Sequence, residues 1–204
     1  MQITAIEPRR KGLCAVFIDG EFAMKLDAEI VLGHQLDVGR EITDEQLHEA
    51  VIASDRKRCK DKALWLISYR DHSRRELCDK LRRDYSDESV EAAVARCEEL
   101  GLIDDGRYAR RYTADLIQVK HLSERGVRQK LREKGIDRDL IDEILAEYDL
   151  DESQQIRDIV DRKYARTIGE EKTRRRAVSA LQRMGFSYAD IRSVLNEYID
   201  LDGD

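Results

Sequence analysis

Residues 127–145 read VRQKLREKGIDRDLIDEIL, and residues 177–195 read AVSALQRMGFSYADIRSVL. Identity is confined to Leu131/Leu181, Gly135/Gly185, Ile141/Ile191 and Leu145/Leu195, yet nearly every other core-type position is apolar in both. The apolar residues recur at i and i+4 before the glycine, and at i, i+4 and i+7 after it. That spacing predicts two short amphipathic helices joined by a glycine turn.

The same register runs back towards the N-terminus. Ser73, Ser123 and Thr173 are fifty residues apart, as are Leu77, Val127 and Ala177, and Leu81, Leu131 and Leu181. Val90 then matches Ile141 and Ile191, Val94 matches Leu145 and Leu195, and Cys97 matches Tyr148 and Tyr198. The first copy is one residue shorter near Tyr85, where it lacks the glycine. A further helical stretch precedes each pair: CKDKALWLISYR, DGRYARRYTADLIQ and SQQIRDIVDRKYARTI. The chain therefore reads as three copies of a three-helix unit, at roughly 62–102, 105–149 and 153–199. A period of about fifty residues predicts an array whose units bury their faces partly against neighbours.

The first quarter follows another period. ITAIEP and LCAVFIDGEFAMKL alternate as strands do, and Asp19-Gly20 suits the two positive-φ positions of a tight hairpin turn. A plain two-residue turn pairs Phe17 with Phe22, Ala15 with Met24 and Leu13 with Leu26, all on one sheet face. A short helix is expected after Asp27. TDEQLHEAV opens the next, with Thr43 and Gln46 placed as a capping box. The expected fold is thus mainly α: an elongated, curved array of three tandem three-helix repeats, preceded by a small β-hairpin or three-stranded sheet with short helices. The segments expected are 1–55 (β-rich), 56–102, 103–150 and 151–204 (one repeat each).

Local signals agree. Ser73-Arg74-Arg75-Glu76 reads as a capping box. Gly101 suits a helix C-terminus, and Asp105, Asp137 and Ser187 suit N-caps.

Composition excludes several classes. Charged residues make up 39% of the chain and aromatic ones 6%, with a single Pro, which describes a helical protein without long apolar spans. The start MQITAIEPRRKG lacks the apolar core of a secretion signal. Cys14, Cys59, Cys78 and Cys97 form no C-x-x-C pair, and His34, His48, His72 and His121 are scattered. Ordinary reduced thiols, no metal, no cofactor and a cytoplasmic location are expected. No phosphate-binding loop motif occurs, and Ser73 beside His72 already has a capping role, so no enzyme is expected.

The net charge is −6, but sign is ordered along each copy. Arg56 to Arg83 crowd the front of the first copy, and Asp87, Glu88, Glu91, Glu98 and Glu99 follow. Arg107 to Lys134 precede Asp137, Asp139, Asp142, Glu143 and Glu147. Arg162, Lys163, Arg166, Lys172, Arg174, Arg175, Arg176 and Arg183 precede Asp190, Glu197 and an acidic tail. Stacked copies would align the basic helices into one stripe, with the acidic third helices elsewhere, and such a stripe suits a polyanion or an acidic protein surface. Tyr69, Tyr108, Tyr112 and Tyr164 lie among these basic helices, where they either stack on bases or pack in the core; Tyr108 reads as core.

Four segments together carry a family resemblance: ALWLISYRDHSRRELCDKL, LGLIDDGRYARRYTADLI, VRQKLREKGIDRDLIDEIL and RRRAVSALQRMGFSYADIRSVL. In this order they resemble the RecX regulatory family over about residues 62–196, with the sheet-forming quarter an extension carried by only part of that family. The resemblance implies a monomeric, non-enzymatic protein that lodges in the groove of the RecA recombinase–DNA filament. There it would limit filament extension, ATP hydrolysis, strand exchange and coprotease activity in recombination, DNA repair and the SOS response. Some members also bind DNA directly. On that implication Arg70, Arg74, Lys80, Arg107, Arg110, Arg111, Lys130 and Lys134 face the partner, Arg174, Arg175 and Arg176 extend the contact, and the Phe17/Phe22 face packs on the first helices or touches the partner.

Two other readings remain open. A helix-turn-helix DNA-binding regulator would lay RRELCDKLRR in the major groove and act without RecA. A general helical-repeat adaptor would have no link to recombination.

Overall fold

In a computed structural model of the chain, residues 1–201 are described, the last three by backbone only; the remainder of the acidic tail lies outside the described residues. Asp19 and Gly20 take φ values of 50° and 90°, the left-handed conformations that a two-residue hairpin turn requires. They join β2 (Leu13–Ile18) to β3 (Glu21–Asp27), and β1 (Ile3–Arg9) pairs antiparallel on the other side of β2.

The register departs from a plain hairpin. Phe17 pairs with Phe22 as expected, but Val16 then pairs with Met24, and Cys14 with Leu26. Ala23 is the extra residue of a β-bulge, and a one-residue slip turns every later side chain to the opposite face. The covered face is therefore Ile3, Val16, Ile18 and Leu26, packed with Val31, Leu36, Ile42 and Ala50. The expectation that Phe17 and Phe22 pack on the first helices is corrected: they meet edge to face at 5.8 Å on the other side, and Phe22 is 55% exposed.

Helix α1 (Ala28–Gly33) starts at Asp27, whose carboxylate accepts from the Glu29 amide. Helix α2 (Asp44–Tyr69) starts at the full Thr43/Gln46 capping box, both bonds 3.2 Å. At 26 residues it is about 39 Å long. Its first half covers the sheet through Leu47 and Ala50, and its second half supplies Cys59, Ala63, Leu66 and Ile67 to the next core. It runs through residues 55 and 56 unbroken, so one continuous helix joins the sheet region to the first helical unit.

Each three-helix unit has its own core. The first comprises α2, α3 (Arg74–Leu81) and α4 (Asp87–Glu99); the second α5 (Asp105–Gln118), α6 (Glu124–Glu133) and α7 (Arg138–Ala146). The third comprises α8 (Glu152–Lys163), α9 (Glu171–Arg183) and α10 (Tyr188–Leu201). Leu77, Val127 and Ala177 are fully buried, as are Leu81, Leu131 and Leu181, and Val90, Ile141 and Ile191. The repeated apolar positions are thus the three bundle centres. Tyr108 is buried in the second, and Cys59, Cys78 and Cys97 in the first, where burial pushes the Cys59 thiol up to about 12.

The caps follow the sequence with one exception, at α5. Ser73, Ser123, Asp137 and Ser187 accept from backbone amides of the helices they start. At α5 the cap is Asp104, which accepts from the Arg107 amide at 2.9 Å, while Asp105 is the first helical residue. Thr173 lies inside α9, which begins at Glu171. The chain divides into two compact units, Met1–Ile103 and the residues from Asp104 onwards.

Candidate partner-binding surface

Folding a three-helix unit brings its third helix beside the first two, and this rearranges the charge pattern. Arg74 at the start of α3 reaches Glu91 at 2.6 Å and Glu98 at 3.2 Å on α4, and Glu91 holds its guanidinium pKa above the usual value. Arg82 meets Glu91 and Asp87. On α5, Arg110 meets Glu143 at 2.6 Å and Glu147 at 3.4 Å on α7. Arg128 meets Asp142, and Arg157 meets Glu197 at 2.9 Å. The acidic third helices do not lie elsewhere, as the order of charges suggested. They neutralise several front-helix arginines, because packing on a shared core leaves their rims within side-chain reach.

The other candidate residues are spread over all three bundles. Arg70 caps the end of α2 and reaches Glu76 at 3.3 Å. Lys80 sits half-buried on α3. Arg107 and Arg111 are exposed on α5. Lys130 pairs with Glu133 at 2.7 Å, and Lys134 lies 5.8 Å from the Tyr112 ring, which Lys120 also approaches at 5.2 Å. Arg174, Arg175 and Arg176 occupy successive positions of α9; Arg175 pairs with Glu171, and Arg174 is half-buried.

The third bundle carries a dense cationic surface. A groove of about 690 Å³ runs along α9, lined by Tyr164, Lys172, Arg175, Arg176 and Arg183, with Glu171 the one acidic residue in its lining. A second groove of about 460 Å³, where the second and third bundles meet, is lined by Arg125, Lys130 and Arg183 with Gln129, Gln182 and Tyr188. Arg183 belongs to both, so the surface continues from α9 to α6. Of the sequence candidates, Lys130, Arg175 and Arg176 are brought into this surface. Lys172 and Arg183 were visible as charges in the sequence but not as members of a site. Their spacing from Arg176 and Arg175 (i+4 and i+8 along one helix face) was the available signal. Arg125 and Tyr188 carry no such signal, since only the meeting of two bundles places them together.

The junction itself is close-packed. The Ser123 amide donates to the Met184 carbonyl at 3.1 Å, and the Glu124 amide donates to the Glu152 carboxylate at 3.0 Å. Burial raises the pKa of Glu152. Arg162 donates to Nε2 of His121 at 3.1 Å.

Among the described residues, no group of three or more His, Cys, Asp or Glu side chains is placed to hold a metal ion, and no helix is long and apolar enough to cross a membrane.

Comparison with known proteins decides the family. Residues 1–43 match the regulatory protein RecX N-terminal domain, residues 59–97 the RecX first three-helix domain, and residues 104–145 the RecX second three-helix domain. A regulatory protein RecX from Caldanaerobacter subterraneus subsp. tengcongensis is 30% identical over 204 residues, covering 96% of this chain and 99% of that one. The chain belongs to the RecX family. Another RecX, from Clostridium beijerinckii, is 30% identical over 161 residues, 78% of this chain and 75% of that protein. A crystal structure of regulatory protein RecX superposes with a TM-score of 0.62 at 24% identity, covering 96% of this chain and 98% of that one. A RecX structure from Lactobacillus salivarius gives 0.58 at 24% identity, covering 73% and 99%. Both structures show that the fold is shared. The match to the RecX N-terminal domain also extends the family likeness beyond residues 62–196, so the sheet is a named RecX module.

Proposed function

We propose that this RecX-family chain binds the RecA recombinase–DNA filament and restrains it, limiting filament extension and the ATPase, strand-exchange and coprotease activities that depend on it. Membership of a family named for regulation carries this reading, and the cationic surface of the third bundle and its junction supports it. A filament of protein and DNA presents phosphates and carboxylates along its length, and a continuous positive face attracts both.

Arg175, Arg176 and Lys130, joined by Arg183, are the favoured contacts. Arg70, Lys80, Arg107, Arg111, Lys134 and Arg174 remain secondary candidates. Arg74 and Arg110 already face carboxylates of their own bundles, so a partner would have to displace Glu91 or Glu143 to reach them. The role is regulatory rather than catalytic, in the cytoplasm, with the protein acting as a monomer.

The test is co-sedimentation with RecA on single-stranded DNA in the presence of nucleotide, alongside a RecA ATPase titration. Arg175→Glu with Arg176→Glu should weaken binding and ATPase inhibition about tenfold or more. Glu45→Lys with Glu49→Lys should not. Equal losses from both pairs would remove the cationic surface from the reading, and wild-type protein without effect on RecA would remove the reading itself.

A helix-turn-helix regulator acting without RecA is less well supported. Its reading helix would be α3, whose Arg74 and Arg82 are turned onto Glu91, Glu98 and Asp87 instead of being held out for base edges.

A further inference from the structure

The groove at the meeting of the second and third bundles holds more than charge. Its lining combines three cations (Arg125, Lys130, Arg183), two side-chain amides (Gln129, Gln182) and a phenol ring, with no carboxylate among the described lining residues. Tyr188 is the first residue of α10 and stands 58% exposed. An aromatic ring so exposed gains little from the core, although its neighbour Phe186 is buried to 3%. Leu122 and Phe186 supply apolar lining beneath the polar rim. Among the described residues Arg125 and Arg183 make no ion pair. Lys130 is held only by the exposed Glu133, and such surface pairs are worth at most about 1 kcal/mol.

We propose that this groove is a binding subsite for one nucleoside phosphate unit, with the nucleobase on the Tyr188 ring and the phosphate between Arg125 and Arg183. Each component has a matching chemistry. A base offers a flat π face to an aromatic ring, and stacking tolerates any base. A guanidinium fork matches phosphate geometry, and two of them from different helices hold a phosphate from two sides. Gln182 presents a donor and an acceptor, and Gln129, which donates one N–H to Glu133 at 3.2 Å, keeps a second N–H and its carbonyl oxygen, which is what the polar edge of a base requires. The volume of about 460 Å³ falls in the range of small-ligand sites, which run from about 300 to 1,000 Å³.

The floor explains why the groove keeps its shape. A Cβ on Gly126 would lie 2.3 Å from the Met184 carbonyl oxygen, and one on Gly185 would lie 2.5 Å from the Gly126 amide nitrogen. Backbone packed so closely fixes α6 against the α9–α10 turn, so the helix positions that carry Arg125, Arg183 and Tyr188 are set beside one another before any ligand arrives. Preorganisation of this kind lowers the ordering cost of binding.

The same chemistry is offered by a free nucleotide and by one unit of a single strand, and two arms of one experiment separate them. The full chain, without RecA, is titrated against ADP carrying a ribose-linked fluorophore, and against a labelled five-residue oligodeoxythymidylate, with anisotropy as readout. Saturable binding of at least one probe is expected. Tighter binding of the oligonucleotide assigns the site to a strand, and equal or tighter binding of ADP assigns it to a free nucleotide. Tyr188→Ala should weaken binding about 5- to 150-fold, the range that loss of one stacked base gives, while Tyr188→Phe keeps it within about twofold. Arg125→Glu should weaken it and flatten its salt dependence. Thermal melts confirm that each variant is folded, as expected for exposed positions. The proposal is overturned if neither probe binds saturably, if Tyr188→Ala binds like the wild type, or if inorganic phosphate competes as well as unlabelled ADP does. Because RecA is absent from the assay, failure here leaves the recombinase reading standing, and failure of that reading leaves this one testable.

Discussion

Gly126 and Gly185 touch through their backbones, 59 residues apart in the chain, and this contact joins the second bundle to the third. A Cβ on Gly185 would sit 2.5 Å from both the Gly126 nitrogen and the Ser123 hydroxyl, and Gly185 also has a φ of 98°. Both sites therefore exclude side chains through backbone atoms that no rotamer change can move. Gly126→Ala should cost about 1–3 kcal/mol as an overpacking change, and Gly185→Ala more, because strain from positive φ is added. Thermal denaturation should show Tm falling by several degrees in each, with Gly185→Ala the lower. A Tm for Gly126→Ala equal to the wild type would mean the bundles do not meet here.

Ser73 and Ser123 are both fully buried N-caps, while Thr173 at the matching third position lies within α9. Replacing a capping serine by alanine costs about 1 kcal/mol. Ser73→Ala and Ser123→Ala should each lower the denaturant midpoint. Thr173→Ala should change it by less than half as much. Comparable losses at all three would show that Thr173 acts as a cap as well.

The bulge at Ala23 decides which sheet residues matter. Leu26 is 1% exposed beneath the sheet, and Phe22 stands largely in solvent on the other side. Leu26→Ala should cost about 2–5 kcal/mol, the usual range for such a deletion in a core. Phe22→Ala should cost well under half of that. A plain hairpin would put both side chains on one face and make the two losses comparable, so equilibrium urea melts of the two variants distinguish the registers.

Two histidines make stability depend on pH. His72 is buried, and its Nδ1 donates to the Arg70 carbonyl at 2.9 Å; burial and the nearby Arg70 charge lower its pKa below 6.5. Burial, Arg162 and Lys163 lower the pKa of His121 likewise. The unfolded chain takes up a proton on each near pH 6.5, whereas the folded chain resists protonation until lower pH. Stability supplied by the neutral rings is therefore present above about pH 6.5 and is lost as pH falls below it. Between pH 7.5 and 5.5 the wild type should lose more Tm than His72→Gln, and more again than a double variant with His121→Gln. Parallel losses in all three proteins would assign the acid sensitivity to other groups.

Much of the architecture was legible before any coordinates. Constant spacing of Leu81, Leu131 and Leu181 marks the bundle centres because an α-helix returns the same face every three to four residues. Asp19-Gly20 marks the hairpin because few residue pairs accept positive φ twice in succession. Ser73 and Ser187 mark helix starts because a short hydroxyl satisfies an otherwise orphaned amide. The choice of Asp104 over Asp105 was not legible, since adjacent aspartates are equally able to cap and only the backbone turn selects one.

The amino-acid order by itself determined the helix count of each unit, the sheet's hairpin turn and the core positions of the helical bundles, since these depend on local period and local hydrogen bonding. Tertiary structure alone decided which charges remain available. Arg74 and Arg110 are drawn onto acids 17 and 33 residues away, whereas Arg125 and Arg183 meet around a groove that no local pattern announces. The physical reason is that a side chain's period is set by its own helix, but its electrostatic partner is set by whichever helix packs beside it.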